Sequence, residues 1–377
     1  MKKKKVAIID PLGGHGSSHH YYLFGQALGL ERQGVCVSIY TCDETSLEFQ
    51  QGSVKLFYKK IYAKSPKWVL GIRYLIGTIR SLVDVLWSSV SFAHFHLFQV
   101  GVLELFNVVL FKVFGRKIVV TIHDVEAFSH EKGVVRNLLY SLSDKIIVHN
   151  QFSKKELLLK NETLEKKINV IPHGNYLPFL KKTITPEQAR TDLGLKSSEK
   201  VILFFGMIKE VKGLEVLLNA VSKAIKKDEA IKLLIAGKAW KTDFSKYQAI
   251  IDELKIQNHC IVHHRFIPDE EVERYYAAAD IVALPYKKIY QSGVLLMSMS
   301  YETPVLVSDL DPMKEIIDDK VTGFLFNSED ANDLSEKLLL AFSDKEKLNS
   351  IQLAAFDKLQ ETYDWKQIGE QLEKVYT

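Results

Sequence analysis

Two lysines three residues apart, and a serine–glycine pair some 80 residues further on, are the side chains of this sequence best suited to chemistry. Residues 201–213 read VILFFGMIKEVKG, an apolar run that stops at Gly206 and sets Lys209 and Lys212 in a loop ahead of a helical pattern. In YQSGVLLMSMSYETPVLVSD, Ser292, Gly293 and Val294 open another helical pattern, shortly after a strand-like run IVALPY that ends at Tyr286. Cations at a helix N-terminus oppose the macrodipole at a cost of about 0.3–1 kcal/mol, which a bound anion would offset. The backbone amides at a helix start favour an anion for the same reason. A strand end, a glycine, fixed cations and a helix start therefore describe a site for a diphosphate leaving group, and hence transfer from an activated, nucleotide-linked donor. The plain alternatives are surface charge for the lysines and an ordinary N-cap for Ser292. The pattern GxxxxGK[ST] does not occur, which excludes a phosphate-binding loop of the ATPase kind.

Histidines gather in the first half. His94 and His96 in FAHFHLF point to one face of their strand, His149 follows in IIVHN, and His123 ends the apolar run VTIHD, where a functional side chain would enter a cleft. No thiol or acid stands at ligand spacing from His94 and His96, so strand-end packing is their expected role and no metal site is expected. Asp309 and Asp311 in DLD resemble the Asp-x-Asp of metal-dependent transferases but read as a solvated turn before a helix. The segment PLGGHGSSHH follows a strand, yet GxGxxG fails because His19 occupies its third position, and Asp43 would have to serve as the ribose acid. Three readings stay open there: a nicotinamide site, a tight turn, or a loop whose amides approach a substrate phosphate. Neither GxSxG nor a nucleic-acid-binding module is present.

These residues need elements to hold them. At 377 residues the chain exceeds one ordinary core. Strands are expected at 5–10, 35–41, 92–97, 117–122, 145–149 and 168–171, with a helix capped by Ser17 or Ser18 and stopped by Gly34. After a proline- and glycine-rich break at 172–199 the alternation restarts, with strands near 200–205, 231–236, 260–264, 280–284, 304–307 and 323–326, and helix from 331 onward. Short apolar strands alternating with helices predict parallel sheets covered on both faces. The expected fold is α/β, two doubly wound Rossmann-like domains with a cleft between them. Three cysteines without CxxC spacing favour a reducing compartment. The lysine run at the start is followed by too few apolar residues for a signal peptide, and the apolar stretch 97–114 is broken by Glu104 and Lys112, which argues against a span.

Charge is uneven. Residues 1–178 hold 23 Lys+Arg against 14 Asp+Glu, whereas residues 179–377 hold 27 against 32. Part of the excess lies between Lys55 and Arg80, interleaved with Phe57, Tyr58, Tyr62, Trp68 and Tyr74. Two readings fit that stretch: docking on an anionic membrane face, or a solvated helix whose apolar side packs on the core.

The chain resembles the family 4 glycosyltransferases along essentially its full length. The resemblance rests on the opening strand and glycine loop, TIHD, IPHG at 171–174, FGMIKEVKG, LLIAGKA at 233–239, HHRFIPDEEVERYYAAADIVALPY at 263–286, SGV…TPVLVSD and the closing ETYDWKQIGEQLEKVY. It implies a GT-B fold with an acceptor domain at 1–178, joined by the closing helix at 363–377, and a nucleotide-sugar donor domain at 179–362. It implies that His123 faces the donor sugar and that Lys209 and Lys212 neutralise the departing diphosphate. Gly14, Gly206, Phe266, Ile267, Tyr286, Ser292, Gly293 and Val294 would bind the donor. The implied activity is a retaining, metal-independent, hexosyltransferase-type transfer from a UDP- or GDP-linked sugar to a glycan or lipid-linked acceptor in polysaccharide biosynthesis. The implied location is cytoplasmic, peripheral on the inner membrane face, with no other cofactor and no nucleic-acid partner. Many members carry two glutamates eight residues apart where this chain has Ile289 and Met297. A weak or partner-dependent binding subunit of the same fold is therefore the alternative, with an NAD-dependent oxidoreductase and a sugar-phosphate epimerase as further rivals.

Overall fold

The computed structural model describes residues 4–16, 18–125, 133–240 and 243–377. They form two units, Met1–Phe179 with Tyr363–Thr377, and Leu180–Thr362. In the first unit, strands β1 (Lys5–Asp10), β2 (Cys36–Cys42), β3 (Ser53–Tyr58), β4 (Phe92–Leu97), β5 (Lys117–Ile122), β6 (Lys145–Val148) and β7 (Ile168–Val170) make one sheet. Its order is β3-β2-β1-β4-β5-β6-β7, with every pair parallel. KVAIID and KIVVTI are apolar almost throughout because a parallel sheet is covered on both faces. Helices α1 (His19–Arg32), α2 (Lys67–Trp87), α3 (Val102–Val113), α4 (Gly133–Leu142) and α5 (Gln151–Lys160) provide the cover. Ser18 takes the N-cap of α1 without a side-chain cap bond, and Ser17 lies outside the described residues.

One element departs from the sequence expectation. The basic, aromatic stretch from Lys55 to Arg80 is not a single amphipathic segment. Its first residues belong to edge strand β3, and α2 begins only at Lys67. SVKLFY is mostly half-buried, as an edge strand is, so it lacks the strong apolar signal of the central strands.

In the second unit, β8 (Lys200–Phe205), β9 (Ile231–Ala236), β10 (Cys260–His263), β11 (Ile281–Leu284), β12 (Val305–Ser308) and β13 (Phe324–Phe326) are ordered β10-β9-β8-β11-β12-β13, again parallel. The helices are α6 (Pro186–Asp192), α7 (Leu214–Ala224), α8 (Ser245–Glu253), α9 (Asp269–Ala278), α10 (Gly293–Ser300), α11 (Asp311–Lys314), α12 (Ala331–Ser343) and α13 (Lys345–Thr362). Leu217, Leu218 and Val221 of α7 join Phe204, Leu233 and Leu338 in one buried cluster, as their spacing on one helical face requires.

The last helix, α14 (Trp365–Val375), belongs to the first unit and packs on α1. Two glycines let the backbones meet: a Cβ at Gly29 would lie 2.3 Å from the Trp365 carbonyl, and one at Gly369 would lie 2.1 Å from that of Gly29. The Trp365 ring fills the space left by Gly25 and Gly174, and its Nε1 donates to the Asn175 carbonyl at 2.8 Å. Both sheets are thus doubly wound, the fold class expected from the alternation of elements.

Candidate functional site

In each sheet the strand order reverses at one point, between β8 and β11 in the second unit and between β1 and β4 in the first. Loops leaving the carboxyl ends of strands on either side of such a point diverge and leave a crevice where open α/β sheets bind ligands. In the second unit, β8 ends at Gly206 and β11 is followed by Tyr286 and then α10. Gly206 has φ +94°, a conformation that disfavours any residue with a Cβ. A Cβ built there would lie 3.3 Å from Lys212 Nζ and 3.4 Å from Val294 Cγ2. Three of the expected site residues, two from the donor-binding set and the expected catalytic residue Lys212, therefore meet at the switch point.

The loop that delivers Lys212 is tightly fixed. Gly206 N donates to the Ala236 carbonyl at 2.9 Å, Ile208 N to Lys238, and Lys287 N to Val211 at 2.8 Å. Gly213, with φ +64°, ends the short 3-10 turn Glu210–Lys212 and lies so close to the Pro285 carbonyl that a Cβ would sit 2.0 Å from it. Lys212 Nζ stands over the Tyr286 ring, 5.4 Å from its centroid. Among the described residues no carboxylate pairs with it. Desolvation by burial, with nothing opposing it, lowers its pKa to about 8, as expected for an ammonium without a counter-charge. Burial likewise raises the Tyr286 phenol to about 12.

Ser292 is the N-cap of α10, its Oγ accepting from Leu295 N at 3.1 Å. Its Oγ thus caps the helix as an acceptor. Gly293 and Val294 occupy the first turn, where backbone N–H groups have no intrahelical acceptor. Lys209 is placed differently from Lys212: its Nζ lies over the Trp240 ring, 4.8 Å from the centroid. Phe266 and Ile267 follow β10, the former 53% exposed and the latter buried, an arrangement that offers one aromatic face to solvent. Asp309 accepts from Ser328 N at 2.9 Å and Asp311 pairs with Lys314, which makes the DLD segment a closed turn.

The first unit gathers the histidines. His96 lies in β4, His123 follows β5, His149 follows β6 and His173 comes shortly after β7. Strands β4 to β7 are consecutive neighbours, so the side chains at their carboxyl ends fall side by side. His149 Nδ1 donates to the Ile171 carbonyl (3.1 Å), leaving Nε2 to accept from His123 Nδ1 (3.3 Å). His123 Nε2 then accepts from His96 Nδ1 at 3.1 Å. The Gln26 amide bridges His96 and His94, and with its NH₂ turned toward His96 the imidazoles of His149, His123, His96 and His94 are all satisfied while neutral. Burial holds them in that form: desolvation pulls His94 to about 3 and His149 to about 4. His96, His123 and His173 are pushed well below their ordinary range by the same cause. His123 is 4% exposed and stacks on Phe98, with centroids 4.3 Å apart.

His19 completes the group, its Nε2 2.7 Å from Asp10 Oδ2. One nitrogen from each of His19, His96 and His123 lies within 4.8 Å of the others, a donor set that a transition metal could use. In the glycine loop, Gly14 N donates to Thr45 Oγ1 at 3.1 Å, so that amide is engaged by the protein itself. The Asp43 carboxylate accepts from Lys60 N at 2.9 and 3.1 Å.

The pattern of the family described as "Glycosyl transferases group 1" matches residues 186–358, nearly the whole of the second unit with its switch-point loops. Residues 186–358 are thus similar to the group 1 glycosyltransferases. An uncharacterized glycosyltransferase of Methanocaldococcus jannaschii is 28% identical over 239 residues, covering 62% of this chain and 60% of that one. A D-inositol 3-phosphate glycosyltransferase of Corynebacterium aurimucosum is 29% identical over 197 residues, 50% of this chain and 46% of its own. This chain therefore spans about half the length of the curated relatives it matches. Among solved structures, Anabaena HepE in complex with UDP and glucose superposes with a TM-score of 0.77 over 98% of both chains at 18% identity. Sucrose-phosphate synthase from Thermosynechococcus elongatus gives 0.77 over 99% and 98% at 17% identity. At that identity these two likenesses speak for the shared GT-B fold.

Two further residues of the expected site lie in the same α10 region. Ile289 and Met297, where many family members carry glutamates, are both partly exposed, and neither can accept a hydrogen bond. Sequence reasoning assigned His94 and His96 to strand-end packing and His123 to the donor sugar, and missed their assembly with His149 and His173. The signal was a histidine at or just beyond the end of each of four consecutive strands.

Proposed function

We propose that the protein is a nucleotide-sugar-dependent glycosyltransferase of the hexosyltransferase type. It moves a sugar from a UDP- or GDP-linked donor to a glycan or lipid-linked acceptor. Residues 180–362 bind the donor and the first unit binds the acceptor. The observation that carries this reading is the convergence of Lys212 Nζ, Gly206 and the first turn of α10 at the switch point of the second sheet. HepE, which shares the fold, binds UDP and glucose, so UDP-glucose is the first donor to test. In this reading the leaving phosphate oxygen gains negative charge where an ammonium and main-chain N–H groups are already fixed, the electrostatic contribution that needs no reorganisation. The same oxygen takes the proton of the acceptor hydroxyl. The sugar keeps its anomeric configuration and Lys209 adds charge to the diphosphate, whereas His123, expected to face the sugar, has both ring nitrogens engaged by His96 and His149.

The acceptor reading draws on the positive balance of residues 1–178, which suits work on the inner face of a membrane. No helix among the described residues is long and apolar enough to cross one, and the reading is of peripheral attachment. Transfer by the purified protein is to be measured with and without a chelator, beside Lys212→Ala. A loss of at least tenfold in kcat/KM for the variant, with no loss on chelation, is expected. A variant as fast as the parent would remove Lys212 from the site, and chelator-sensitive transfer would move the mechanism to the histidine trio. Ile289 and Met297 support a second reading, a binding subunit without its own turnover. Calorimetry with UDP and GDP alongside the transfer assay separates it, because such a subunit gives heat without product.

A further inference from the structure

Helix α2 turns the wrong side outward. Trp68, Ile72, Ile76, Ile79, Val83 and Trp87 are all exposed, the two tryptophans by 70% and 87%. Steps of four, four, three, four and four residues confine them to an arc of about 100°. A stripe of that width normally faces a core. Here the core is met by a different face, through Tyr74, Gly77, Leu82 and Val85. Helix α3 is tied to α2 through Asn107 Nδ2 on Tyr74 Oη at 3.3 Å, and it adds exposed Val102 and Phe106.

Beside the stripe lies a groove of 820 Å³ walled by Leu56 and Phe57 of β3 and by Ile79, Val83 and Trp87 of α2. Lys59 and Arg80 stand at it, together with two acids. Asp84 is neutralised by Lys55 and also bonded by Tyr40, and Asp43, which accepts from Lys60 N, is outnumbered by the cations around it. By contrast Lys59, Lys60, Lys64, Lys67 and Arg80 have no carboxylate partner among the described residues, and all are exposed.

We propose that this face docks on an anionic phospholipid bilayer, α2 lying in the interface with its apolar stripe inserted and the groove seating one acyl chain. The inference deepens the membrane reading of the first unit given above and uses none of the transfer chemistry. A helix of 21 residues is about 31 Å long, and tryptophan near each end suits the headgroup level, where its amphipathic ring resides. The unpaired cations supply the attraction to anionic headgroups near such a surface. A second copy of the chain docking by the same patch would set those cations against themselves.

The test is partition onto vesicles of phosphatidylglycerol or of phosphatidylcholine, with brominated acyl chains as quenchers of Trp87 in a Trp68→Phe background. Binding to the anionic vesicles that weakens with salt, together with quenching of Trp87, is expected. Ile79→Asp with Trp87→Asp should lower partition at least tenfold, and Lys59→Glu with Arg80→Glu should abolish the preference for anionic lipid. All four side chains are exposed, so folding is not at stake, and UDP binding measured on the same samples reports on the transferase reading separately. Failure to bind anionic vesicles, binding indifferent to salt, or a dimer that forms through this face and excludes vesicles would each overturn the proposal. Loss of UDP binding with vesicle binding intact would instead count against the transferase.

Discussion

Lys212 combines burial, a lowered pKa and the absence of a carboxylate partner among the described residues, and that combination carries a pH signature. If it faces a diphosphate, the complex requires it charged while the free protein releases its proton near pH 8. Nucleoside diphosphate affinity should then be level between pH 7 and 8 and fall up to tenfold per unit above it. Titration calorimetry across pH 7–10 checks this, and Lys212→Met should bind about 10–100-fold more weakly at pH 7, as for a lost charge-assisted hydrogen bond of about 1.5–3 kcal/mol, with a flat profile. A parent profile equally flat would mean that the ammonium does not meet the anion. At this scale the sequence was informative where the backbone dictates the residue. Gly206 and Lys212 were legible because a strand end followed by glycine and a cation is a local pattern. The position of Lys209 over Trp240 was not, because it depends on where a loop some 30 residues away comes to rest.

Among the elements, the strand ends of the first unit set a second, independent expectation. His94, His96, His123, His149 and His173 are held neutral, their pKa values lowered by desolvation. An unfolded chain binds protons at these groups below about pH 6.5 while the folded chain does not until far lower, so stability falls as pH drops through that window. Each histidine contributes up to about 1.4 kcal/mol per pH unit. Thermal unfolding should accordingly be insensitive to pH above about 7 and fall steeply between 6.5 and 4. His94→Gln should flatten that slope, and a slope unchanged by the substitution would show that this residue is charged when folded or neutral when unfolded. The elements themselves were largely readable from sequence, since central strands such as KVAIID and KIVVTI are apolar almost from end to end. β3 escaped notice because an edge strand is covered on one side only. Which residues converge across β4 to β7 followed from strand order, a property of the whole sheet that no local window contains.

For the molecule as a whole, the two units are built differently along the chain. Leu180–Thr362 is continuous and has its own sheet and buried cluster, and the switch-point residues Gly206, Lys212 and Val294 all lie within it. Residues 180–362 produced alone should therefore fold cooperatively and bind UDP with an affinity within about tenfold of the full chain, measured by circular dichroism and calorimetry. An unfolded fragment would show that the donor unit depends on the rest of the chain. The fold class, two doubly wound sheets, was readable because the alternation of short apolar runs with helical patterns restarts after residue 199. The exposed apolar side of α2 was only half readable. Its basic residues stood out, but the outward turn of six large apolar side chains is a matter of which helical face the sheet selects.

The first unit, by contrast, is interrupted. Its helix α14 is made after 180–362, yet Trp365 fills the hollow between Gly25 and Gly174 and the Tyr376 hydroxyl reaches His94 at 2.6 Å. At a translation rate of about 5–20 residues per second, the ribosome needs roughly 10–40 s to travel from one part to the other. For that interval the nascent amino-terminal half is without Trp365 and Tyr376, the side chains that in the folded unit fill the space beside Gly25 and Gly174 and meet His94.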